Sequence, residues 1–442
     1  MKRLLIILFM CFLSQFALGQ GTACITQSNL VGYPLFIRQY GEVPGQHLIY
    51  FTDLASSTKG YVGLTSLFSY GIYSQLVSDC TVKDIVVLGK MAYFCGQTTS
   101  NEALIGWFFL HDLAMGNGAS PYIDMTFYYG SGLTSIDNIE VYANGGDTIV
   151  VGYGTDGDRN YAIKYNVSTH YYETLYLIYT PCDLTVTDNY IVYAGRDANN
   201  TQMMIHPFSK TGAFALTPPQ YCTFFLGSFT AREPFGDLRI VHRTGDKVST
   251  LSYRTESGDK WMMLREFSIF SSSPTMTAAY QIDFQNSAYN ILDFKYSSTR
   301  NSYTILHTYE VISTELYSTV TKIDLSSGTP SSVPSHYIPN QDHVMRSLSL
   351  SDSSMYAVYG YETGSFENMF WKDYQYAIWP EPCLKCDELP FNTVTITNST
   401  PVLPDAGSTG TGGVSLHTTY DPMLTPISII CNRIIKEKGV TK

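Results

Sequence analysis

A strand-like element rich in aromatic and β-branched residues recurs seven times in this chain: YVGLTSL from Tyr61, ALIGWFFL from Ala103, YAIKYNV from Tyr161, QMMIHPF from Gln202, KWMMLREF from Lys260, STVTKIDL from Ser318 and NMFWKDY from Asn368. A short polar run precedes each copy, and before that comes another β-rich run: HLIYFTD, MAYFCGQ, TIVVGYG, YIVYAGR, VSTLSYR, YTILHTY or MYAVYGY. Between copies lies a further strand-like run, such as YYETLYLIY from Tyr171 or AAYQIDF from Ala278. Each unit therefore supplies about four strands at a period of roughly 40 to 60 residues, the range of repeat arrays that bury their faces only against neighbouring copies.

The turns agree with this division. Pro44-Gly45, Asn144-Gly145-Gly146-Asp147 and Asp188-Asn189 each separate two β-rich runs. Proline presets φ, and Gly, Asn and Asp tolerate the positive φ that tight hairpins need. No stretch carries a long apolar period of 3.6 residues, so an all-β chain with few helices is expected. The strand-like TACITQS near Thr22 has no partner within its own unit, and the last unit lacks a strand after Tyr374. The two ends are expected to meet in one sheet.

The chain opens on Met1-Lys2-Arg3, an apolar run from Leu4 to Leu13, and small residues before Gln20. That is the layout of a cleaved secretory signal, read here as residues 1–19, which implies a secreted, periplasmic or cell-surface protein. The repeats span residues 20–374, and residues 375–442 form a short irregular Pro/Thr/Gly-rich tail with isolated strands at VTIT from Val394 and ISII from Ile427. Within it, DAGSTGTGG from Asp405 is too polar and small-residue-rich to order itself. No run has the roughly 18 consecutive apolar residues of a transmembrane span. A net charge of −11 argues against nucleic acid as a partner.

The candidate chemical motifs are weak. Eight cysteines follow the leader (Cys24, Cys80, Cys95, Cys182, Cys222, Cys383, Cys386 and Cys431), an even number that permits local disulfides in an exported chain without selecting a pairing. Cys383 and Cys386 have zinc or redox spacing but no second pair and no βαβ context, so a structural role is expected. Asp156, Asp158 and Asn160 open like a calcium loop, yet Tyr161 stands where that loop needs Gly and Val167 where it needs Glu. The nine histidines (His47, His111, His170, His206, His242, His307, His336, His343 and His417) lack metal-ligand spacing, and no Gly-x-Ser-x-Gly elbow occurs. No catalytic or ligand-binding residue, metal or cofactor is assigned.

Seven four-stranded units at this period resemble a seven-bladed β-propeller of the exported type, without the WD or Kelch signature of a specific family. Ser257-Gly258-Asp259-Lys260-Trp261 resembles the Asp-box of sialidase propellers, but lacks its Gly and brings Trp early. The resemblance implies loops gathered on two flat faces. The polar loops before the third strands, Ala55 to Lys59, Gln97 to Glu102, Thr155 to Arg159, Asp197 to Asn200, Thr255 to Asp259, Glu310 to Glu315 and Glu362 to Glu367, are expected on one of them. With no catalytic signature, the expected function is a monomeric, non-enzymatic binding or scaffold protein for an extracellular glycan or protein. The alternative is a polysaccharide-acting hydrolase or lyase, which three or more buried acids with arginine at a channel mouth would favour.

Overall fold

The computed structural model describes residues 22–40, 47–58, 60–65, 70–77, 80–110, 126–130, 132–197, 202–212, 222–225, 238–256, 259–270, 273–283, 288–310, 316–326, 331–337, 343–350, 356–362, 367–374, 395–398, 416–420 and 434–435. The leader, the Cys383/Cys386 pair and the run from Asp405 to Gly413 lie outside the described residues.

Among the described residues the regular elements are 31 β-strands in seven antiparallel sheets. After β1 (Thr22–Val31), the first sheet holds β2 (Tyr33–Gln39), β3 (His47–Thr52), β4 (Gly60–Thr65) and β5 (Tyr70–Val77). The second holds β6 (Cys80–Leu88), β7 (Met91–Thr98), β8 (Ala103–Phe109) and β9 (Thr126–Gly130). The third holds β10 (Ser135–Asn144), β11 (Asp147–Thr155), β12 (Asn160–Asn166) and β13 (Tyr171–Leu177), and the fourth β14 (Thr180–Val186), β15 (Tyr190–Arg196), β16 (Gln202–Ser209) and β17 (Cys222–Phe225). The fifth comprises β18 (Leu238–His242), β19 (Lys247–Glu256), β20 (Asp259–Phe270) and β21 (Ser273–Asp283), and the sixth β22 (Ala288–Ser297), β23 (Ser302–Glu310), β24 (Leu316–Asp324) and β25 (Ser331–Tyr337). The seventh has β26 (His343–Leu350), β27 (Tyr356–Glu362) and β28 (Glu367–Tyr374), and its fourth place is taken by β1.

That pairing sets Thr22 opposite Tyr374 and Gln27 opposite Met369, so the two ends of the repeat region share one sheet. First strands of successive sheets pack in the cyclic order β2, β6, β10, β14, β18, β22, β26 and back to β2. The apolar core is correspondingly divided among sheet interfaces. Tyr50 and Val62 meet Val82 and Phe94 between the first two sheets, Leu251 and Leu264 meet Ile291 and Tyr303 between the fifth and sixth, and Ile37, Ile49 and Phe51 meet Tyr359 of the seventh. Second strands have neighbours on both edges and both faces, so they are buried almost end to end, as in HLIYFT.

The strand expected at VTIT is not isolated, and the one expected at ISII from Ile427 lies outside the described residues. The strands β29 (Thr395–Asn398), β30 (Leu416–Tyr420) and β31 (Ile434–Ile435) add a fifth, antiparallel strand to the fifth, third and first sheets, along β21, β13 and β5. An outer strand leaves a row of unpaired N–H and C=O groups, and chain from the tail satisfies part of it. Cys95, buried between sheets, is in no disulfide, and burial pushes its thiol pKa well up. Among the described residues, no helix is long and apolar enough to cross a membrane.

One buried histidine yields a test of the core. His206 on β16 packs 4.1 Å from Phe208, with Nδ1 3.2 Å from the Tyr179 hydroxyl. Burial pulls its pKa down to about 3, against about 6.5 in an unfolded chain. The unfolded state therefore binds the extra proton between those values. The stability this residue contributes is complete above about pH 6.5 and lost as pH falls towards 3. Relative to the parent, His206→Leu is expected to gain about 1 kcal/mol for each pH unit of acidification from pH 6 to pH 4. Urea unfolding at several pH values measures this, and a pH-independent difference would contradict it.

Candidate functional site

Six of the seven first strands share a local plan. An extra residue bulges the strand, at Leu35, Lys83, Asp137, Cys182, Leu292 and Arg346, each within an interrupted register with the second strand. Facing several bulges is a glycine that no other residue replaces easily. A Cβ on Gly96 would stand 1.9 Å from the Thr81 carbonyl oxygen, and one on Gly360 2.2 Å from that of Val344. A bulge re-aims the residue that follows it, and all six of these residues, Phe36, Asp84, Asn138, Asp183, Asp293 and Ser347, line one cavity.

In three sheets that next residue is an aspartate that spans two sheets. Asp84 accepts the Ile85 amide on Oδ1 (2.8 Å) and the Ile139 amide of the third sheet on Oδ2 (3.2 Å). Asp183 accepts Leu184 N–H at 3.0 Å and Ile240 N–H of the fifth sheet at 2.9 Å. Asp293 accepts Phe294 N–H and Leu348 N–H of the seventh sheet, both at 2.9 Å. In the seventh sheet Ser347 takes this position, its Oγ accepting Ile37 N–H of the first sheet at 3.3 Å.

These strands enclose a cavity of about 750 Å3 to which all seven sheets contribute. Its cations are Arg38, Lys83, Arg239, Lys295 and Arg346. Its carboxylates are Asp84, Asp137, Glu140, Asp183 and Asp293. Arg38 donates from Nη2 to Asp84 Oδ1 at 2.9 Å and from Nε to the Ile85 carbonyl at 2.7 Å. Lys83 meets Asp137 at 2.6 Å, and Lys295 meets Asp293 at 3.2 Å.

The carboxyls titrate differently because their surroundings differ. Burial pushes Asp293 up, but Lys295, Arg38 and the Leu348 amide outweigh it and hold the carboxyl below its usual range. Asp183 is carried by burial to about 6 despite Arg239 and two amides. Glu140 is raised to about 7, first by burial and then by Asp84 and Asp183, with Lys295 and Arg38 opposing. Among the described residues Glu140 has no hydrogen bond or ion pair, unlike Asp84, Asp137, Asp183 and Asp293.

The loops form a second candidate surface. Each of the seven polar runs named above joins the second strand of its sheet to the third, so antiparallel order sets them at the same end of their sheets. Parts of them, including residues 198–200, 257–258, 311–315 and 363–366, lie outside the described residues, among them the first two residues of the Asp-box-like segment, whose last three open β20. In the third sheet the Arg159 guanidinium lies 5.9 Å from the exposed Tyr176 ring, which Tyr161 meets edge-on at 6.0 Å. The calcium-like loop is occupied by its own donors: Asp156 Oδ1 accepts the Asp158 and Arg159 amides, and Oδ2 the Tyr161 hydroxyl. Among the described residues no three His, Cys, Asp or Glu side chains are arranged to hold a metal.

The sequence reading named the loops but missed the cavity. Its signal was present as VKDIV, PCDLT and ILDFK, an acid between apolar residues in first strands, together with the glycine closing MAYFCG and MYAVYG.

No protein-family model matches the chain, and comparison with curated proteins finds no relative. Among solved structures it is similar to a puromycin hydrolase S511A mutant complexed with PGG (10% identity, TM-score 0.41, covering 79% of this chain and 54% of that one). It is also similar to polysaccharide lyase Uly1 (8%, 0.42, 79% and 91%) and to the Vanderwaltozyma polyspora Nup133 β-propeller domain (10%, 0.42, 80% and 98%). The chain spans about half the length of the puromycin hydrolase. It resembles β-propeller proteins, and no specific family among them.

Proposed function

We propose that the chain is an exported, monomeric binding protein in which the seven sheets are the blades of one closed seven-bladed β-propeller, presenting loops at one end to an extracellular glycan or protein. Cyclic packing of the first strands and the pairing of β1 with β28 support the closed ring. The observation that carries the binding reading is the placement of exposed apolar side chains. Of the six large ones among the described residues, Tyr33, Leu54, Tyr176 and Ile178 sit at the end of the sheets that carries the second-to-third-strand loops, and Phe109 and Phe270 at the other. An exposed tyrosine with a guanidinium over its face offers the flat apolar surface and polar rim on which a sugar ring or a peptide stacks.

Acids do gather beside Arg38, Arg239 and Arg346 in the cavity, as the enzyme alternative requires, but most of them are already engaged, which supports binding over turnover. Asp84, Asp183 and Asp293 each hold two backbone amides, and Asp137 is paired with Lys83. The alternative, a polysaccharide-acting hydrolase or lyase, rests on Glu140, whose elevated pKa of about 7 suits a general acid. Incubating the mature chain with a panel of polysaccharides and extracellular protein extracts separates the two. The expected result is retention of at least one ligand, weakened roughly tenfold by Arg159→Ala with Tyr176→Ala, as for loss of a buried stacking contact, and no cleavage. New reducing ends or unsaturated products that disappear in Glu140→Gln would establish the enzyme instead.

A further inference from the structure

We propose that the central cavity is a separate site for a small zwitterion, an aminocarboxylate whose ammonium group rests on Glu140 and whose carboxylate lies towards Lys295 and Arg38. The inference does not depend on the loop surface.

Three observations lead to it. The cavity, at about 750 Å3, is lined by five carboxylates and five cations, His242 aside, a volume within the usual range for small-molecule sites. A ligand of one sign would be attracted by half of these groups and repelled by the other half, whereas a neutral ligand with separated charges can use both signs. Secondly, Glu140 is the carboxylate of this lining with no hydrogen bond or ion pair among the described residues, and it is only half-buried, so its oxygens are open to a donor brought by a ligand. Thirdly, the charges around it come in two signs. Asp84 on β6 and Asp183 on β14 push its pKa up, while Lys295 on β22 and Arg38 on β2 pull it the other way, and the Lys83–Asp137 pair lines the same cavity. A bare amine would meet those two cations, and a bare carboxylate would meet Glu140. A divalent metal is poorly served, since no three ligating side chains converge among the described residues.

The titration of Glu140 supplies an independent readout. An ammonium group needs the ionised carboxylate, and with a pKa of about 7 the ionised fraction falls about tenfold between pH 8 and pH 6. Affinity for the ligand is expected to fall by the same factor.

The test is titration calorimetry of the full chain with glycine, β-alanine and γ-aminobutyrate, and with n-butylamine and butyrate as single-charge controls. At least one of the three aminocarboxylates is expected to bind, with both controls at least tenfold weaker. Glu140→Gln and Lys295→Gln are each expected to lower affinity at least tenfold, with polysaccharide or protein retention at the loops unchanged. Should Glu140→Gln not fold, Lys295→Gln and the comparison at pH 8 and pH 6 decide the matter on their own. No binding by any of the three, equal binding by a control, or affinity indifferent to Lys295→Gln and to pH overturns the proposal.

Discussion

Replacing Asp84 by alanine is expected to cost the fold about 3–5 kcal/mol, the usual range when one partner of a buried ion pair is removed. Asp84 is 4% exposed and serves three donors at once: its neighbour's amide, an amide of the third sheet, and Arg38 of the first. Alanine strands two buried N–H groups, each worth about 1–3 kcal/mol when unsatisfied, and leaves a guanidinium short of its counter-charge. Asparagine retains one acceptor and is expected to cost less. Combining Asp84→Ala with Arg38→Met should recover part of the loss, because the second change removes the orphaned cation. Urea unfolding of the parent, the three single variants Asp84→Ala, Asp84→Asn and Arg38→Met, and the double variant measures this. Simple additivity of the two single changes would mean that the ion pair is not the main component.

Deleting Thr22–Val31 is the second change with a large expected effect. The strand β1 pairs with β28 residue for residue from Thr22 to Gln27. At roughly 1 kcal/mol net for each ladder hydrogen bond, its removal forfeits on the order of 5 kcal/mol. The loss reaches beyond one sheet. The seventh and first sheets share a core through Tyr359, Ile37, Ile49 and Phe51, so a frayed seventh sheet exposes the first. Calorimetry is expected to give a lower, broader transition, with early hydrogen exchange in β2 and β26. A transition unchanged in midpoint and width would show that β1 does not hold the repeats together.

Much of this architecture can be read from the residues, for a physical reason. Third strands such as ALIGWFFL and second strands such as MAYFCGQ announce themselves because an element buried on both faces must be apolar throughout. Turns declare themselves likewise: Gly145 and Gly146, at φ of 61° and 106°, occupy the hairpin where Asn-Gly-Gly-Asp foretold one. The tail was harder. A short edge strand pairs through backbone groups that every residue possesses, so VTIT reads as a strand without revealing which sheet it joins. The cavity was harder still. Asp84, Asp183 and Asp293 lie about 100 residues apart in sequence, and each meets its neighbour only once the sheets are packed side by side. Glu140 is one acid among many until the packing of the sheets places it in the cavity lining.

The aspartate clamps also impose a parity on the molecule. They join the second sheet to the third, the fourth to the fifth and the sixth to the seventh. The seams between these couples use tyrosine hydroxyls instead: Tyr153 donates to the Cys182 carbonyl between the third and fourth sheets, and Tyr303 to Glu266 between the fifth and sixth. Seven is odd, so the first sheet has no mate. It is tied on both flanks by Arg38, which reaches Asp84 and Ile85 on one side and Ser347 on the other. The seven sheets are thus three couples and a keystone. Removing or inserting a couple would preserve the alternation of seams, whereas removing one member of a couple would leave the other without the sheet to which its clamp joins it.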